Sequence, residues 1–299
     1  MNAVLILDKP AGQTSHDVVN RVRRILQERS VGHLGTLDPL ATGVLPLVVG
    51  NLTRLAQFYT SSEKTYEGTI RFGFATDTYD AEGEPTSSAQ EVAVSLDQLR
   101  QLACRFRGII EQTPPPFSAK KIQGVPAYKL ARKHTEVTLK PVQVEVKEFE
   151  ITGIDGLVAS FRARVASGTY MRSVAHDMGQ LVGCGAHLAS LRRTAVGEFD
   201  LADAHTLEEL DTAVKTGETD DIFIHPRKLL PQFPSVTANE EIAARIRTGR
   251  PVNLPELSQS RMVKVFAGQR ELMAIATRVA GTLFHAKIVL AAESGRVIA

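Results

Sequence analysis

A run of alternating apolar and polar residues, KTYEGTIRFGFAT at residues 64–76, constrains the fold most strongly. Alternate positions fall into an apolar set and a polar set, Tyr66, Ile70, Phe72 and Phe74 against Thr65, Glu67, Thr69 and Arg71. This alternation is typical of a β-strand that buries one face. Such a strand needs neighbouring strands to pair with and a second layer to cover its apolar face. The rest of the chain must supply both.

Partner strands and covering helices are visible in the same half of the chain. Apolar or alternating runs predict strands at VLILDKPAG, VLPLVVG, VQVEVKEFEITGI and LVASFRARVAS. Helical periodicity marks the segments that begin TSHDVV, SLDQLR and GTYMRS. Thr14 and Ser15 are candidate caps of the first helix. In the last helix we expect an inward stripe of Met171, Val174, Ala175, Met178 and Leu181. Interspersed strands and helices predict a mixed α/β or α+β domain.

The pattern changes near residue 230. The segment HPRKLLPQFPSV, residues 225–236, carries three prolines and is typical of a linker. After it come one short helix, TANEEIAARIRTGRPV, and short strands separated by glycines. We therefore expect two domains, one over residues 1–230 and a small, mostly β one over residues 235–299.

Cysteines, histidines and charge narrow the class of protein. The only cysteines, Cys104 and Cys184, have no CxxC spacing, and the eight histidines form no HExxH or HxH pair, so we expect no metal and two buried thiols. No stretch approaches the roughly 20 apolar residues of a membrane span, and the N-terminal VLIL is too short for a signal peptide. We expect a cytoplasmic protein. Since its net charge is only +2, a nucleic-acid binder would have to concentrate positive charge locally.

The segment GHLGTLDPLATGVLP, residues 32–46, places one acid, Asp38, among three glycines and two prolines before a buried strand. An Asp-Pro pair commonly opens a turn, so Asp38 can be a turn residue that binds backbone N–H groups. The glycines and prolines, however, specify this backbone more tightly than a plain connection needs. A carboxylate between such a loop and a buried strand is also well placed at the floor of a pocket. Both interpretations stay open from the residue alone.

Two further side chains are candidates for chemistry beside Asp38. Arg172, in SGTYMRS, lies near a helix start, where the macrodipole disfavours a cation. It either points to solvent or pairs with a local anion, and a pair with Asp38 would keep that carboxylate ionised. Tyr66 is either a core tyrosine or an aromatic plane that stacks on a base, with a hydroxyl able to move a proton.

Positive charge is concentrated between the two halves of the predicted sheet. Residues 111–140 hold six basic side chains against Glu111 and Glu136, a local charge of +4. The segment opens with three prolines and also carries Phe117 and Tyr128. A basic and aromatic loop is typical of nucleic-acid binding. We expect nucleic-acid contacts from this loop, at about 112–141, by Lys120, Lys121, Lys129 and Arg132.

Together these segments resemble the bacterial tRNA pseudouridine-55 synthases, the TruB-type pseudouridine synthases. The resemblance is carried by GHLGTLDPLATGVLP, LDKPAGQTSHDVV, KTYEGTIRFG, QTPPPFSAKKIQGVPAYKLAR, GTYMRSVAHDMG and GCGAHLASLRRTAVGEF, in the family's order. It implies an α+β catalytic domain with a mixed, mainly antiparallel sheet and an inserted basic loop. The C-terminal 65 residues resemble a PUA-type RNA-binding module.

The resemblance also implies roles for single residues. Asp38 matches the catalytic aspartate, Tyr66 the tyrosine that stacks on the uracil, and Arg172 the arginine that pairs with the aspartate. His33 matches a histidine that holds the flipped-out nucleotide, and Tyr170 and Leu191 match further pocket residues. The implied activity is isomerisation of uridine 55 in the T-loop of tRNA, by base flipping and rearrangement of the glycosidic bond.

That reaction has no redox step and no energy donor, so we expect no cofactor. We expect tRNA, through its T-arm, as the partner, with no protein partner and a monomeric enzyme. The alternative from another class is a non-catalytic protein that binds or folds tRNA on the same scaffold. A nucleoside hydrolase or glycosidase is a weaker alternative, because such enzymes usually use two carboxylates and this motif supplies one.

Overall fold

The computed structural model describes residues 1–118, 120–122, 124–127, 130 and 139–290. Its helices are α1 to α6, in chain order Ser15–Leu26, Ala56–Tyr59, Leu96–Cys104, Met171–Val182, Leu207–Thr216 and Glu240–Arg247. Short 3₁₀ turns cover Gly50–Leu55, Leu201–Asp203, Pro226–Lys228 and Pro255–Leu257. The strands β1 to β17 are Ala3–Lys9, Val31–His33, Thr42–Val49, Lys64–Phe72, Gly108–Gln112, Lys121–Ile122, Val125–Pro126, Val142–Asp155, Val158–Val165, Ala186–Val196, Phe199–Asp200, Ala204–His205, Ser235–Ala238, Val252–Asn253, Met262–Ala267, Glu271–Ala280 and Leu283–Val289.

Ten strands form the main sheet, in the order β12-β1-β3-β10-β4-β9-β8-β5, with β2 beside β3 and β11 beside β10. The pairs β1–β12 and β3–β10 are parallel, whereas the remaining pairs are antiparallel. The expected mixed, mainly antiparallel sheet is confirmed. The parallel pair β3–β10 lies at its centre and joins the two segments that later frame the site.

The alternation is confirmed within β4, but this strand ends at Phe72, so the prediction that Phe74 shares its buried face is wrong and Phe74 is half-buried. Tyr66, Ile70 and Phe72 are buried in one hydrophobic core with α1, α3 and α4. The run VLPLVVG in β3 is apolar at successive positions because both of its faces are covered. Leu45 faces the helix-side core, whereas Val44 faces a second core that the C-terminal domain completes.

Helix α1 begins where the sequence predicts. The Thr14 hydroxyl accepts the backbone N–H of Asp17 at 3.1 Å, and the Asp17 carboxylate accepts the backbone N–H of Thr14 at 2.9 Å. This reciprocal cap satisfies two N–H groups that the helix leaves free. The cap also positions Ser15, whose buried side chain reaches the loop that carries Asp38.

Two expectations about single side chains are wrong. Leu181 is 48% exposed, because the last turn of α4 packs Val182 on the core instead and Gly183 then ends the helix at φ +86°. Cys104 is exposed, whereas Cys184 is buried. Cys104 follows the buried Ala103 at the end of α3, so it falls on the outer face of the helix.

The C-terminal part is a five-stranded sheet in the order β13-β15-β16-β17-β14, with α6 packed on one face. The other face carries Phe266, Ile275 and Ile288 against Val4 and Val48 of the main sheet. The proline-rich segment before it is packed as well: the Lys264 ammonium donates to the carbonyls of Arg227 and Leu229. The two parts therefore share a hydrophobic core.

Candidate active site

A cavity of about 250 Å³ opens where four segments of the chain meet. Its walls come from the loop after β2, the start of β4, the loop that enters α4, and the middle of β10. The lining side chains include one carboxylate, two tyrosines and three cations: Asp38, Tyr66, Tyr170, Lys64, Arg172 and Arg193. Space of this size can receive a pyrimidine base.

The loop that carries Asp38 is held by buried polar contacts from β1 and α1. The Ser15 hydroxyl accepts the backbone N–H of Leu37 at 2.8 Å and lies 3.1 Å from its carbonyl oxygen. The buried Lys9 ammonium donates to the carbonyl of Pro39 at 3.3 Å. Both neighbours of Asp38 are therefore fixed, and its own side chain remains 39% exposed in the cavity. The turn interpretation and the pocket interpretation of Asp38 are thus compatible.

Arg172 pairs with Asp38 across the cavity. Its Nε lies 2.9 Å from Oδ2 of Asp38, as an ion pair rather than a directed hydrogen bond. The rest of the guanidinium is held from behind, because it donates to the carbonyls of Thr78 at 3.1 Å and Phe117 at 2.9 Å. Arg172 is buried, so the alternative in which it points to solvent is wrong.

A second carboxylate, Asp80, stands behind Arg172. Its Oδ2 lies 3.6 Å from the guanidinium, and its other oxygen accepts the Thr78 hydroxyl at 2.5 Å and the Glu82 N–H at 3.1 Å. Sequence reasoning misses this buried residue, which lies in the polar segment TDTYDAEGEP, residues 76–85, shortly after β4. The concentration of acidic residues so close to the strand of Tyr66 could have identified it as a candidate.

The electrostatics of Asp38 are balanced between burial and pairing. Burial away from water raises the pKa of Asp38 above its usual range, and the negative charge of Asp80 adds to this rise. The guanidinium of Arg172 opposes both effects. Without Arg172 the carboxylate would therefore hold its proton to higher pH.

Tyr66 is both a core residue and a wall of the cavity. It is 8% exposed and packs in the helix-side core, yet part of its surface lines the space in front of Asp38. Leu191 and Tyr170 complete the wall. The backbone of Tyr170 is fixed by Gln112, whose side chain accepts its N–H at 2.8 Å and donates to its carbonyl at 3.1 Å.

Two further buried cations, Lys64 and Arg193, line the cavity. Arg193 is the cross-strand partner of Tyr66 and donates to the carbonyls of Gly35, Thr36 and Val44 at 2.9, 3.2 and 2.8 Å. Burial lowers the pKa of Arg193, and the adjacent Tyr66 opposes that effect. Lys64 donates to the Ser62 carbonyl at 2.6 Å. In the described part of the chain neither cation pairs with a carboxylate.

His33 lies beside the cavity rather than in its wall. It ends β2, and its Nδ1 accepts the N–H of Gly35 at 3.3 Å. Burial, with smaller contributions from Arg193 and His16, lowers the pKa of His33. The imidazole is therefore neutral near pH 7, as the accepting nitrogen requires.

The predicted RNA-binding side chains fall in the segment that is least completely described. Lys120 is exposed, and Lys121 lies in β6. Lys129 and Arg132 lie outside the described residues. Within the described ranges no helix has the length and hydropathy to span a membrane, and no group of three or more His, Cys, Asp or Glu side chains could hold a metal ion.

Comparison with known proteins gives a family that agrees with this geometry. Residues 23–171 match the TruB family pseudouridylate synthase N-terminal domain, and residues 172–230 match the tRNA pseudouridylate synthase B C-terminal domain. The tRNA pseudouridine synthase B of Solibacter usitatus is 51% identical over 97% of this chain and all of its own length. That of Aquifex aeolicus is 39% identical over 89% of this chain and 92% of its own.

Solved structures support the same fold. A Cbf5–Nop10–Gar1 complex contains a chain that is 25% identical, with a TM-score of 0.72 over 97% of this chain and 85% of that one. A chain in an H/ACA RNP bound to a substrate RNA is 24% identical and has the same TM-score. The near full-length relatives and the two matched domains show that this chain belongs to the TruB family of pseudouridylate synthases.

Proposed function

We propose that this protein is a tRNA pseudouridine synthase that isomerises uridine 55 in the T-loop. The observation that supports this proposal most directly is that Asp38 and Arg172 pair in a cavity that Tyr66 also lines, in a chain of this family. The reaction breaks the bond between C1′ and N1, turns the base and joins C1′ to C5. A proton then leaves C5.

The side chains divide this chemistry between ribose and base. Asp38 is the catalytic carboxylate beside the sugar, and Arg172 keeps it ionised and holds it in one orientation. Tyr66 stacks on the uracil, and its hydroxyl relays the proton that leaves C5, passing its own proton on as the oxygen accepts the new one. Leu191 and Tyr170 confine the detached base, while His33 holds the flipped-out nucleotide beside the cavity mouth.

A polynucleotide fits the surroundings of the cavity better than a free nucleoside does. A groove of about 740 Å³ shares Leu191 with the cavity. Hydroxyl groups, two arginines and one carboxylate line it, from Thr42, Thr69, Thr152, Ser160, Ser190, Arg162, Arg192 and Glu67. Such donors suit ribose and phosphate oxygens. A uridine in a folded loop must be extruded to reach Asp38, and Lys120, Lys121, Lys129 and Arg132 of the insertion hold phosphates meanwhile.

The proposal includes the organisation of the protein. Residues 1–230 form the catalytic domain, with the insertion at about 112–141, and residues 235–299 form a PUA-like RNA-binding domain. The enzyme acts as a monomer in the cytoplasm, needs no cofactor, and recognises the T-arm.

The test is incubation with an unmodified tRNA transcript, followed by mapping of pseudouridine at single-nucleotide resolution. We expect one modified position, U55, both in the whole transcript and in an isolated T-arm hairpin. Asp38→Asn preserves shape and removes the charge, so it should bind tRNA like the wild type and lose activity by at least about 1000-fold. Binding without any pseudouridine from the wild type would favour the non-catalytic alternative. Turnover by Asp38→Asn near the wild-type rate would remove Asp38 from catalysis.

A further inference from the structure

The cavity carries more positive charge than its carboxylate can balance. Arg172 faces Asp38 and also lies near Asp80, so its charge is matched. Lys64 and Arg193 line the same cavity, are 9% and 0% exposed, and form no ion pair with a carboxylate in the described ranges, although the charge of Asp38 acts on Arg193. Burying a cation without a matching negative charge is costly. The side of the cavity that holds these two cations is therefore suited to an anion.

Of the two cations, Lys64 has the freer donors. The Arg193 guanidinium spends three of its N–H groups on the carbonyls of Gly35, Thr36 and Val44. The Lys64 ammonium donates to the carbonyl of Ser62, which leaves N–H groups for a ligand in the cavity. Both side chains approach Gly35, where a Cβ would lie 3.6 Å from Arg193 and 3.8 Å from the Cε of Lys64.

The proposed reaction creates an anion in this place. When the bond between C1′ and N1 breaks, its electron pair stays on the base, and the negative charge spreads over N1, O2 and O4 of uracil. The charge is consumed when C5 attacks C1′, and the C5 proton then leaves as N1 gains one, so the product base is neutral. Asp38 cannot stabilise the detached base, because it carries the same sign of charge. A cation in the cavity wall can.

We propose that Lys64 is a further catalytic residue, whose ammonium stabilises the negative charge on the detached uracil, and that Arg193 positions the surrounding wall. This assignment rests on the proposed function. Arg193 joins the Gly35–Thr36 backbone to β3 and lies opposite Tyr66 in the neighbouring strand. The titratable and charged groups that share the cavity with Lys64 are Asp38, Tyr66, Tyr170, Arg172 and Arg193.

The protonation of Lys64 supports a role that varies with pH. Burial, together with the positive charge of Arg193, lowers the pKa of Lys64 to about 8. The ammonium is therefore mostly charged at neutral pH and loses its proton in a range that kinetics can reach. An arginine in its place would keep its charge through that range.

The experiment measures the rate of pseudouridine formation in single turnover, at saturating tRNA, for the wild type, Lys64→Met and Lys64→Arg. We expect Lys64→Met to be about 100-fold slower with unchanged tRNA affinity, and Lys64→Arg to recover to within about tenfold. The wild-type rate should fall above about pH 8, whereas Lys64→Arg should not fall there. Lys215→Met, an exposed change of the same charge on α5, should leave the rate unchanged.

A second substrate separates charge stabilisation from folding. In a tRNA with 5-fluorouridine at the target position, the fluorine itself stabilises negative charge on the base. The defect of Lys64→Met in consuming the target base should therefore be smaller with this tRNA than with uridine. Equal defects on both substrates, or a defect confined to tRNA affinity, would overturn the assignment. Wild-type inactivity would instead reject the proposed function, and thermal unfolding identifies a variant that fails to fold.

Discussion

Two buried arginines line the cavity, and both donate to main-chain carbonyls, but only one of them also faces carboxylates. Arg172 binds the carbonyls of Thr78 and Phe117 and pairs with Asp38 and Asp80, which can gain or lose a proton. Arg193 binds the main-chain carbonyls of Gly35, Thr36 and Val44, which cannot. The difference teaches that buried cations in one cavity can do different work. In the proposed mechanism Arg172 sets the charge of the reacting carboxylate, whereas Arg193 sets the shape of the wall.

The largest effect is expected from Arg172→Met, which removes the arginine that pairs with carboxylates. It leaves Asp80 as an unpaired buried carboxylate, so we expect the free energy of unfolding to fall by about 3 to 5 kcal/mol. The pKa of Asp38 should rise further, because the main opposing charge is gone. The acid limb of the pH–rate profile should therefore move to higher pH.

The control for this variant is Arg21→Met, which removes an exposed pair with Glu208 on the surface. A loss of less than about 1 kcal/mol is expected there. Denaturant unfolding measures both losses, and single-turnover rates across pH locate the acid limb. A profile that keeps its acid limb in Arg172→Met would mean that the arginine does not govern the ionisation of Asp38.

Arg193→Met removes the arginine that binds main-chain carbonyls without a carboxylate partner in the described ranges, and the loss of stability should be intermediate. Three buried carbonyls lose their donor, so the free energy of unfolding should fall by about 2 to 3 kcal/mol. The loop at Gly35 and Thr36 should loosen, which lowers the rate at every pH. The acid limb should move much less than in Arg172→Met, because Arg172 is the main charge that opposes the raised pKa of Asp38 and the charge of Arg193 adds a smaller interaction with Asp38. A shift as large as that of Arg172→Met would abolish the distinction between the two arginines.

The sequence was sufficient for much of this architecture. The alternation in β4, the cap of α1 and the short C-terminal strands depend on residues close together in the chain, so local patterns predict them. It also singled out Asp38, Tyr66 and Arg172, which the structure brings to one cavity. Their catalytic roles remain proposals. The prediction for Leu181 is wrong because helical periodicity places it on the inward face, whereas in the last turn of α4 this side chain is exposed.

Asp80 and Arg193 depend on contacts that no local pattern contains. Asp80 becomes part of the site only because Arg172, from a distant helix, is buried against its segment. Arg192 and Arg193 are adjacent and identical in type, yet they point to opposite faces of β10. Arg192 is partly exposed beside Asp8, and Arg193 is fully buried. Only the register with β3 and β4 decides which arginine enters the core.

The smallest effect on stability is expected in the segment that contacts Arg172. Thr78 and Asp80, which contact Arg172, flank Tyr79, and Tyr79 stacks on His176 of α4 at 3.8 Å between ring centroids. The next residue of α4 is Asp177, whose charge acts on Tyr79. Burial raises the pKa of Asp177 to about 6. Asp177→Asn therefore tests this support without touching either arginine.

The sign of the pH dependence follows from that raised pKa. Between about pH 4 and 6 the folded protein keeps a proton on Asp177 that the unfolded chain releases, so this group's contribution to stability falls as pH rises. Above pH 6 the buried charge destabilises the fold, and asparagine removes that cost. We expect Asp177→Asn to match the wild type at pH 4 and to be more stable by about 1 kcal/mol at pH 8, after screening of this half-buried side chain. Urea unfolding at both pH values measures the difference. An equal difference at pH 4 and pH 8 would show that Asp177 does not titrate in the folded state as its burial requires.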